Sequence, residues 1–377
     1  MRLLALFSLA LVLAFCKTTN RVFSGKSDAE LRQIADRLAH KYIIFDGHVD
    51  LPYRLKAKNF RLEKEFVGLP LDDPKGDFDV KRAKIGGLSA PFMSIYIPSD
   101  LQKTGREQAY ADSLIRMVTA LAEANPTEFG LVKTSADVVK NFKKGLISLP
   151  MGMENGCPIL KIEDVARYHR LGIRYITLTH GKDNLICDSS YDTTRTWNGL
   201  SPFGEKVVRE MNRVGIMVDV SHLSDEAIRD VLQVANRPLI ATHSGCRHFT
   251  PGFERNLSDS LILGIAKTGG VIQVPFSMYF LGNKYRDAWH KAEAEMEKRK
   301  IPEFGPEAAA VLKELVRQGE PVYATVRDVA DHIDYIKNLA GIDHVGLGSD
   351  FDGVGLALPH DLAVDQLEHR IGRVGQH

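Results

Sequence analysis

The segment Phe45-Asp46-Gly47-His48-Val49-Asp50 sets an imidazole and a carboxylate two residues apart at the end of an apolar run. Side chains alternate between the two faces of a strand, so His48 and Asp50 point to the same side and can reach one metal ion. His222 and His243 come much later, each after another apolar run. Ligands gathered from the ends of separate strands indicate a metal-dependent hydrolase at one mouth of a barrel.

Short apolar runs alternate with amphipathic stretches along the chain, without a repeat of fixed period. The predicted strands are 42–45, 92–97, 145–151, 175–178, 216–220, 238–241, 271–274 and 344–347. The predicted helices are 106–124, 162–171, 203–214, 225–234, 258–267 and 326–339. This order predicts an α/β fold, a (β/α)8 TIM barrel of the metal-dependent hydrolase type. A doubly wound open sheet is the structural alternative, but the chain lacks the glycine-rich phosphate loop that would support it.

Residues 283–321 break this alternation with two charged helical patterns, 287–300 and 306–318. This insertion follows the seventh predicted strand, on the side where barrel loops carry function. It is predicted to be either a lid over the pocket or a solvated helical hairpin without a role.

The composition is that of an ordinary globular protein of 377 residues, with 49 basic against 48 acidic residues. No basic stripe is present, which argues against a nucleic acid partner. Cys157, Cys187 and Cys246 are far apart and odd in number, so they are interpreted as small buried residues and not as a disulfide framework.

The N-terminal residues 1–24 are interpreted as a signal peptide or a lipoprotein signal, which leaves 25–377 as the catalytic barrel. Met1-Arg2 precedes an apolar run that ends at Phe15 and is too short for a comfortable membrane span. Cys16 then predicts a lipid anchor, although Phe15 is unusual just before an acylated cysteine, and a simple cleaved signal is the alternative. The expected location is outside the cytoplasm, in a bacterial periplasm or cell envelope. A homodimer is left open.

Metal-competent side chains recur at corresponding strand ends, where the residues of a barrel converge on one mouth. None of them is a thiolate, and this ligand chemistry suits zinc or a similar divalent ion in a catalytic site. The number of ligands exceeds the needs of one tetrahedral ion, which favours two metals with a bridging carboxylate. The candidates are His48, Asp50, Glu154, His180, His222, His243 and Asp350.

The chain resembles the membrane (renal) dipeptidases from about Phe45 to Asp361. Asp46-Gly47-His48-Val49-Asp50 is similar to their opening motif, D-G-H-N-D, with Val49 in place of the common asparagine. The other similar segments are Gly199-Leu200-Ser201-Pro202-Phe203-Gly204, Val218-Asp219-Val220-Ser221-His222, His243-Ser244, Arg255-Asn256-Leu257-Ser258-Asp259 and Gly348-Ser349-Asp350-Phe351-Asp352-Gly353.

This resemblance implies two zinc ions, one held by His48 and Asp50, the other by His222 and His243. Glu154 would bridge them, in Glu154-Asn155-Gly156 where the family usually has E-G-G.

The resemblance also implies three roles toward substrate. His180 would contact the substrate and stabilise the oxyanion, Arg255 would bind the substrate carboxylate, and Asp350 would transfer the proton.

The residues themselves leave alternatives for these roles. His180 could cap a strand, and Arg255 could pair with Asp259 or Glu254. Asp352 is the nearest rival of Asp350, but Asp352-Gly353 is typical of a turn. Trp197 is expected at the pocket rim or as a buried anchor. Five further histidines are interpreted as surface or packing residues: His248, His290, His332, His344 and His360.

The function predicted from these features is a zinc-dependent dipeptidase, extending to dipeptides with a C-terminal D-residue. A non-catalytic envelope binding protein on the same barrel is one alternative. Another binuclear amidohydrolase is the second, but such enzymes often bridge their metals with a carboxylated lysine, whereas Glu154 stands here. Arg255 also favours a substrate with a free carboxylate.

The sequence after Leu362 does not resemble the family's closing helix, so the closing C-terminal segment is expected to be incomplete. Apolar barrel surface would then be exposed, and the chain is expected to be poorly stable.

Overall fold

A computed structural model describes residues 25–57, 71–73, 76–302 and 306–353. Eight parallel strands follow one another around a barrel in chain order. They are β1 Ile44–Val49, β2 Leu88–Tyr96, β3 Met151–Glu154, β4 Ile173–Thr177, β5 Met217–Asp219, β6 Ile240–Ala241, β7 Val271–Val274 and β8 Val345–Leu347.

Thirteen helices are present in the described residues, and most of them connect these strands. They are α1 Asp28–Lys41, α2 Leu51–Ala57, α3 Val80–Gly86, α4 Glu107–Ala124, α5 Ser135–Lys143, α6 Glu163–Leu171, α7 Pro202–Val214, α8 Asp225–Val234, α9 Asp259–Lys267, α10 Met278–Leu281, α11 Asn283–Arg299, α12 Pro306–Arg317 and α13 Val326–Ala340. Short 3-10 turns occupy Ser99–Leu101, Arg247–Phe249 and Ile342–His344.

The barrel closes between β1 and the residues that follow β8. The Asp350 N–H donates to the His48 carbonyl oxygen at 3.1 Å, and the Asp50 N–H donates to the Phe351 carbonyl oxygen at 2.8 Å. The predicted (β/α)8 barrel is therefore confirmed, and the open doubly wound sheet is wrong.

The third predicted strand, 145–151, differs from the structure. Ile147–Leu149 pairs with Phe129–Leu131 in a separate two-stranded sheet, and the barrel strand β3 begins at Met151. Pro150 stands between the two segments and has no N–H to donate, so it separates the two hydrogen-bond ladders. Glu154 is consequently the last residue of its strand and does not follow it.

The first strand also runs further than the predicted 42–45. It extends to Val49, so His48 lies within the strand, in the stretch between Asp46 and Val49 where the pairing with β2 shifts register.

The helices pack on the barrel through one apolar face each. In α7, the buried face is formed by Val207, Val208 and Met211. Ser224 caps α8 by accepting a hydrogen bond from the Ala227 N–H at 3.1 Å, which fixes the turn between β5 and that helix.

Residues 283–321 contain α11 and α12, which pack against each other. One face of α11 is buried through Tyr285, Trp289 and Met296. The Arg286 guanidinium of the same helix lies 3.8 Å from the centre of the Phe253 ring, in the segment after β6. The hairpin therefore contacts the loops of the barrel mouth.

Across the described part of the chain, every helix is too short or too polar to span a membrane. Cys157, Cys187 and Cys246 are buried free thiols, as predicted. The interpreted leader 1–24 with Cys16 lies outside the described residues, as does the segment from residue 354 onward on which the stability prediction depends.

Candidate metal centre

The centre lies at the carboxyl ends of the strands, where six charged or titratable side chains are almost completely buried. A buried carboxylate or imidazole is costly unless it is paired or binds a metal, so this concentration requires an explanation. The exposed fractions are 0% for His48, 4% for Asp50 and Glu154, 6% for His222, 1% for His243 and 8% for Asp350.

Glu154 stands in the middle of the group. Its Oε2 atom is 3.1 Å from His48 Nε2, while its Oε1 atom is 3.1 Å from His222 Nε2 and 3.4 Å from His243 Nε2. One carboxylate thus faces two sets of imidazoles with its two oxygens. Asp50 Oδ2 lies 3.3 Å from His48 Nε2, on the side of Oε2.

These residues fit divalent cations. Ligand atoms lie within 4.8 Å of one another in three groups: His48, Glu154 and His243; Glu154, His180 and His222; and His48, Asp50 and Asp350. The Nε2 atoms of His222 and His243 are 2.8 Å apart, and Asp50 Oδ1 is buried without a hydrogen-bond partner. Imidazole and carboxylate donors without a thiolate are the ligands of hydrolytic zinc sites. These proximities do not by themselves separate the two ligand pairs that the resemblance implies.

The electrostatics keep His222 and His243 neutral. Burial lowers the pKa of both imidazoles well below the ordinary value, and the nearby charge of Arg255 lowers both further. Only a neutral imidazole has a lone pair to offer a metal, so both rings are in the binding form at neutral pH.

The surroundings of His48 and Glu154 shift the pKa values of these two residues in opposite directions. Burial alone would raise the pKa of Glu154, but the charge of His48 and hydrogen bonds from His222 and His243 hold it well below its usual range. For His48, burial lowers the pKa, yet Tyr175, Glu154 and then Asp50 raise it well above the ordinary value. The carboxylates therefore draw positive charge to this ring, and a proton or a divalent cation can meet that demand.

Asp350 follows β8 in a left-handed backbone conformation, with φ of 64°. Burial, together with the charges of Asp50 and Glu154, raises its pKa to about 8, although His48 and Arg255 act in the opposite direction. A carboxyl group in such surroundings can hold and release a proton near neutral pH.

Arg255 is 2% exposed and is anchored to the segment that carries His243. Its Nη1 donates to Ser244 Oγ at 2.7 Å and its Nη2 donates to the His243 carbonyl oxygen at 2.7 Å, while Nε has no partner. The alternative surface pairs are wrong. Glu254 pairs with Arg195, and Asp259 accepts from Tyr335 at 2.9 Å.

His180 lies at the edge of the centre and is about one quarter exposed, with 24% of its side chain accessible. Its Nε2 is 3.7 Å from Glu154 Oε1, and its ring centre is 4.2 Å from that of His222. Burial lowers the pKa of His180. The ring therefore faces the centre with one nitrogen, next to Glu154 and His222.

Two aspartates that the sequence analysis did not single out, Asp46 and Asp219, support the backbone of the ligand-bearing segments. Each accepts backbone N–H groups both from its own ligand-bearing segment and from a neighbouring strand end. The signal was present, since an aspartate precedes His48 by two residues and His222 by three. Tyr175 is a further missed support, with its hydroxyl 2.9 Å from His48 Nδ1.

Asn155 occupies a left-handed position directly after Glu154, with φ of 73°. Asparagine tolerates this conformation better than most residues other than glycine. Its side-chain amide donates to the Ile97 carbonyl oxygen at 3.0 Å and to Gln102 Oε1 at 3.1 Å, and its Oδ1 accepts from the Cys157 N–H at 3.1 Å. The departure from E-G-G thus adds bonds between the loops and keeps the turn.

Several other predicted residues lie away from the centre. Asp352 pairs with Arg54 at 2.9 Å and is part of a turn. Trp197 is 39% exposed and donates to the Asn184 carbonyl oxygen at 2.8 Å, so the buried-anchor interpretation is wrong. The histidines His248, His290, His332 and His344 lie outside the three ligand groups, and His360 lies outside the described residues.

The family model described as membrane dipeptidase, peptidase family M19, matches residues 32–366. Dipeptidase tcpJ of Claviceps purpurea is 31% identical over 323 residues, which cover 82% of this chain and 66% of that protein. The chain thus spans just under two thirds of that relative's length.

Two crystal structures show the same fold. The probable dipeptidase PvdM from Pseudomonas aeruginosa has a TM-score of 0.74 at 22% identity, over 93% of this chain and 94% of that one. A metallopeptidase from Rhodobacter sphaeroides, solved with a phosphinate mimic of the dipeptide L-Ala-D-Ala, has a TM-score of 0.68 at 23% identity, over 89% and 93%. The family match over most of its length establishes that the chain belongs to the membrane dipeptidase family, peptidase family M19, a family of metal-dependent peptide hydrolases.

Proposed function

We propose that the protein is a dipeptidase that requires two zinc ions per chain. The observation that carries the proposal is the position of Glu154, whose Oε2 is 3.1 Å from His48 and whose Oε1 is 3.1 Å from His222. A carboxylate that faces two ligand sets at once suits a pair of cations and has no use in a site for one tetrahedral ion.

His48 and Asp50 would hold one ion and His222 and His243 the other, with Glu154 shared. When bound, two divalent cations make a hydroxide available near neutral pH and polarise the scissile carbonyl.

The chain's own residues would do the remaining work. Asp350, whose carboxylate lies within 4.8 Å of the ligand atoms of His48 and Asp50, would accept a proton from the attacking water and return it to the leaving amine. His180 would stabilise the developing negative charge on the carbonyl oxygen through a hydrogen bond from its exposed edge.

Arg255 would donate paired hydrogen bonds to the free C-terminal carboxylate of the substrate. Its Nη2 also donates to the carbonyl oxygen of His243, and this bond holds the guanidinium next to the segment that carries a candidate metal ligand. In a dipeptide the free carboxylate belongs to the residue directly after the scissile bond, where Arg255 would reach it. In a longer peptide that residue has no free carboxylate. The ligand of the Rhodobacter structure, an L-Ala-D-Ala mimic, supports extending the proposal to dipeptides with a C-terminal D-residue.

The test is hydrolysis of a small dipeptide panel, including L-Ala-L-Ala, L-Ala-D-Ala and their C-terminal amides. The zinc-loaded protein should cleave the free dipeptides, lose activity with a chelator and regain it on adding zinc, and the amides should be poor substrates. Metal analysis should find two zinc ions per chain. Activity that survives full metal removal would refute the proposal, and two bound ions without hydrolysis of any panel member would favour a binding protein.

Export and lipid anchoring are proposed separately, on the basic start, the short apolar run and Cys16. Mass spectrometry of the mature N terminus tests this, because an acylated Cys16 adds the mass of its fatty acids and C16S abolishes it. An unprocessed Met1 would refute export. A bacterial origin and a homodimer stay predictions.

A further inference from the structure

A buried arginine surrounded by carboxylates lies beside the metal centre and is not used by the proposed reaction. Arg54 of α2 is 9% exposed. Its Nε is 2.9 Å from Asp352 Oδ1, its Nη1 pairs with Asp73, and its Nη2 donates to the Phe78 carbonyl oxygen at 3.0 Å. Gly76 packs directly on the guanidinium, since a Cβ there would overlap it. The guanidinium is therefore buried between two carboxylates, a carbonyl oxygen and the backbone of Gly76.

Asp352 connects this arginine to the loop that carries Asp350. Besides Arg54, its Oδ1 accepts a hydrogen bond from the Asp77 N–H at 2.7 Å, and its own N–H donates to Asp77 Oδ2 at 2.9 Å. Asp350 and Asp352 both have left-handed backbones, with φ of 64° and 68°. Two such residues close together persist only where the surroundings hold them.

The same loop sets the distance between Asp350 and the β1 ligand Asp50. The loop is bonded to β1 through the Asp350 N–H and the Phe351 carbonyl oxygen. A Cβ at Gly353 would overlap both the Asp50 and the Asp350 carboxylates. A small shift of this loop would therefore move the Asp350 carboxyl group relative to the ligands.

We infer that Arg54 and Asp352 form a buried ion pair that positions Asp350 for proton transfer. The inference rests on the proposed function for the role of Asp350. Arg54 and Asp352 are positioning residues, because they act through the loop and touch neither substrate nor metal. Side chains that orient the groups of a metal site typically contribute about 10- to 100-fold to activity.

The test compares R54M with R82M in the zinc-loaded, full-length protein. Arg82 contacts the same segment as Arg54, through the carbonyl oxygens of Gly76 at 2.6 Å and Asp73 at 3.1 Å, but it does not contact the Asp350 loop. R54M should lower kcat about 10- to 100-fold with little change in KM, because Arg255 and not Asp350 binds the substrate. R82M should keep the kcat of the wild type within about twofold, since Arg82 contacts only the 73–79 segment and leaves the Arg54–Asp352 pair in place.

Hydrogen exchange gives a second readout that needs no activity. The Asp350 and Asp352 N–H groups are both hydrogen-bonded, so a peptide covering 348–353 should exchange slowly in the wild type and faster in R54M, but not in R82M. G76A should act like a mild R54M, because its methyl group displaces the guanidinium without removing the charge. R54K should recover part of kcat.

An unchanged kcat together with unchanged exchange at 348–353 in R54M overturns the inference. If R54M fails to fold, G76A and D352N decide by the same two measurements. If the wild type cleaves no dipeptide, the proposed function fails, while the exchange data still show whether Arg54 holds the loop.

Discussion

The ends of β1 and β5 each present a candidate metal ligand, His48 and His222, and an aspartate near each of them bonds to the backbone of its segment. Asp46 Oδ1 accepts the N–H groups of His48 at 3.0 Å and of Ser349, after β8, at 2.8 Å. This oxygen therefore joins the segment that carries His48 to the end of the neighbouring strand β8. Asp219 Oδ1 joins the segment that carries His222 to the end of β6 in the same way.

The β5 end carries a larger hydrogen-bond network. Asp219 Oδ1 accepts the N–H groups of Ser221 at 3.1 Å and Thr242 at 2.9 Å, and Oδ2 accepts the hydroxyl groups of Thr177 at 2.5 Å and Thr242 at 2.7 Å. His222 sits at φ of 70°, outside the strand.

The difference follows from the backbone at the two ligands. His48 lies within β1, whose pairing with β2 shifts register between Asp46 and Val49, whereas His222 lies outside any strand, in a left-handed turn that its surroundings have to stabilise. The aspartate near His222, which lies in a left-handed turn, therefore accepts more hydrogen bonds than the aspartate near His48, which lies in a strand.

The largest effect is expected at Glu154, on which both ends depend. E154Q replaces a shared carboxylate with an amide whose NH2 group cannot bind a cation. We expect activity to fall more than about 100-fold, beyond the usual effect of a supporting residue. Zinc analysis should show loss of metal. E163Q, at an exposed position of α6, serves as the matched control and should behave as the wild type.

Asp219 and Asp46 test the comparison itself. In D219N the NH2 group replaces an oxygen that accepts two hydrogen bonds, so the hydroxyl groups of Thr177 and Thr242 must reverse or lose theirs, and the free energy of unfolding should fall by about 1–3 kcal/mol. D46N can keep its carbonyl oxygen toward the two N–H groups and should cost less than about 1 kcal/mol. Urea unfolding measures both. Equal losses would show that the two ends are equivalent and that the added donors at β5 do not matter.

His332 lies in α13, away from the ligands, and gives a pH effect on stability. Burial lowers its pKa to about 4, and its Nδ1 accepts the Cys246 N–H at 3.0 Å. The unfolded chain, with an ordinary histidine pKa near 6.5, binds the proton first as the pH falls. Stability should therefore decrease between about pH 6.5 and 4, by about 2 kcal/mol from pH 7 to 5.

The H332Q variant cannot titrate at this position. The difference in unfolding free energy between the wild type and H332Q should change with pH only in that window. A constant difference would contradict a buried neutral histidine at this position.

The smallest effect separates backbone strain from side-chain bonding at the β3 end. N155A and N155G both lose the bonds to Ile97 and Gln102, but only the alanine has a side chain that opposes φ of 73°. N155A should be less stable than N155G by about 1 kcal/mol in thermal unfolding. If the two variants melt alike, the left-handed turn is not retained.

The sequence indicated the barrel because its strands are apolar runs whose ends carry ligand-type residues in order. It indicated His48 and Asp50 as a pair because strand alternation is a local rule. The boundary of the third strand could not be read in the same way, since the short sheet formed by Phe129–Leu131 and Ile147–Leu149 is a pairing between distant segments.

The sequence by itself determined which residue types could bind metal and that separate strand ends would bring them to one mouth, because both depend on composition and local periodicity. Only the tertiary structure decided that Glu154 would face imidazoles with both of its oxygens, that Arg255 would bond to the His243 carbonyl group and that Arg54 would reach Asp352. These contacts join residues far apart in the chain, and their geometry depends on how the barrel closes and on left-handed turns that no local pattern specifies.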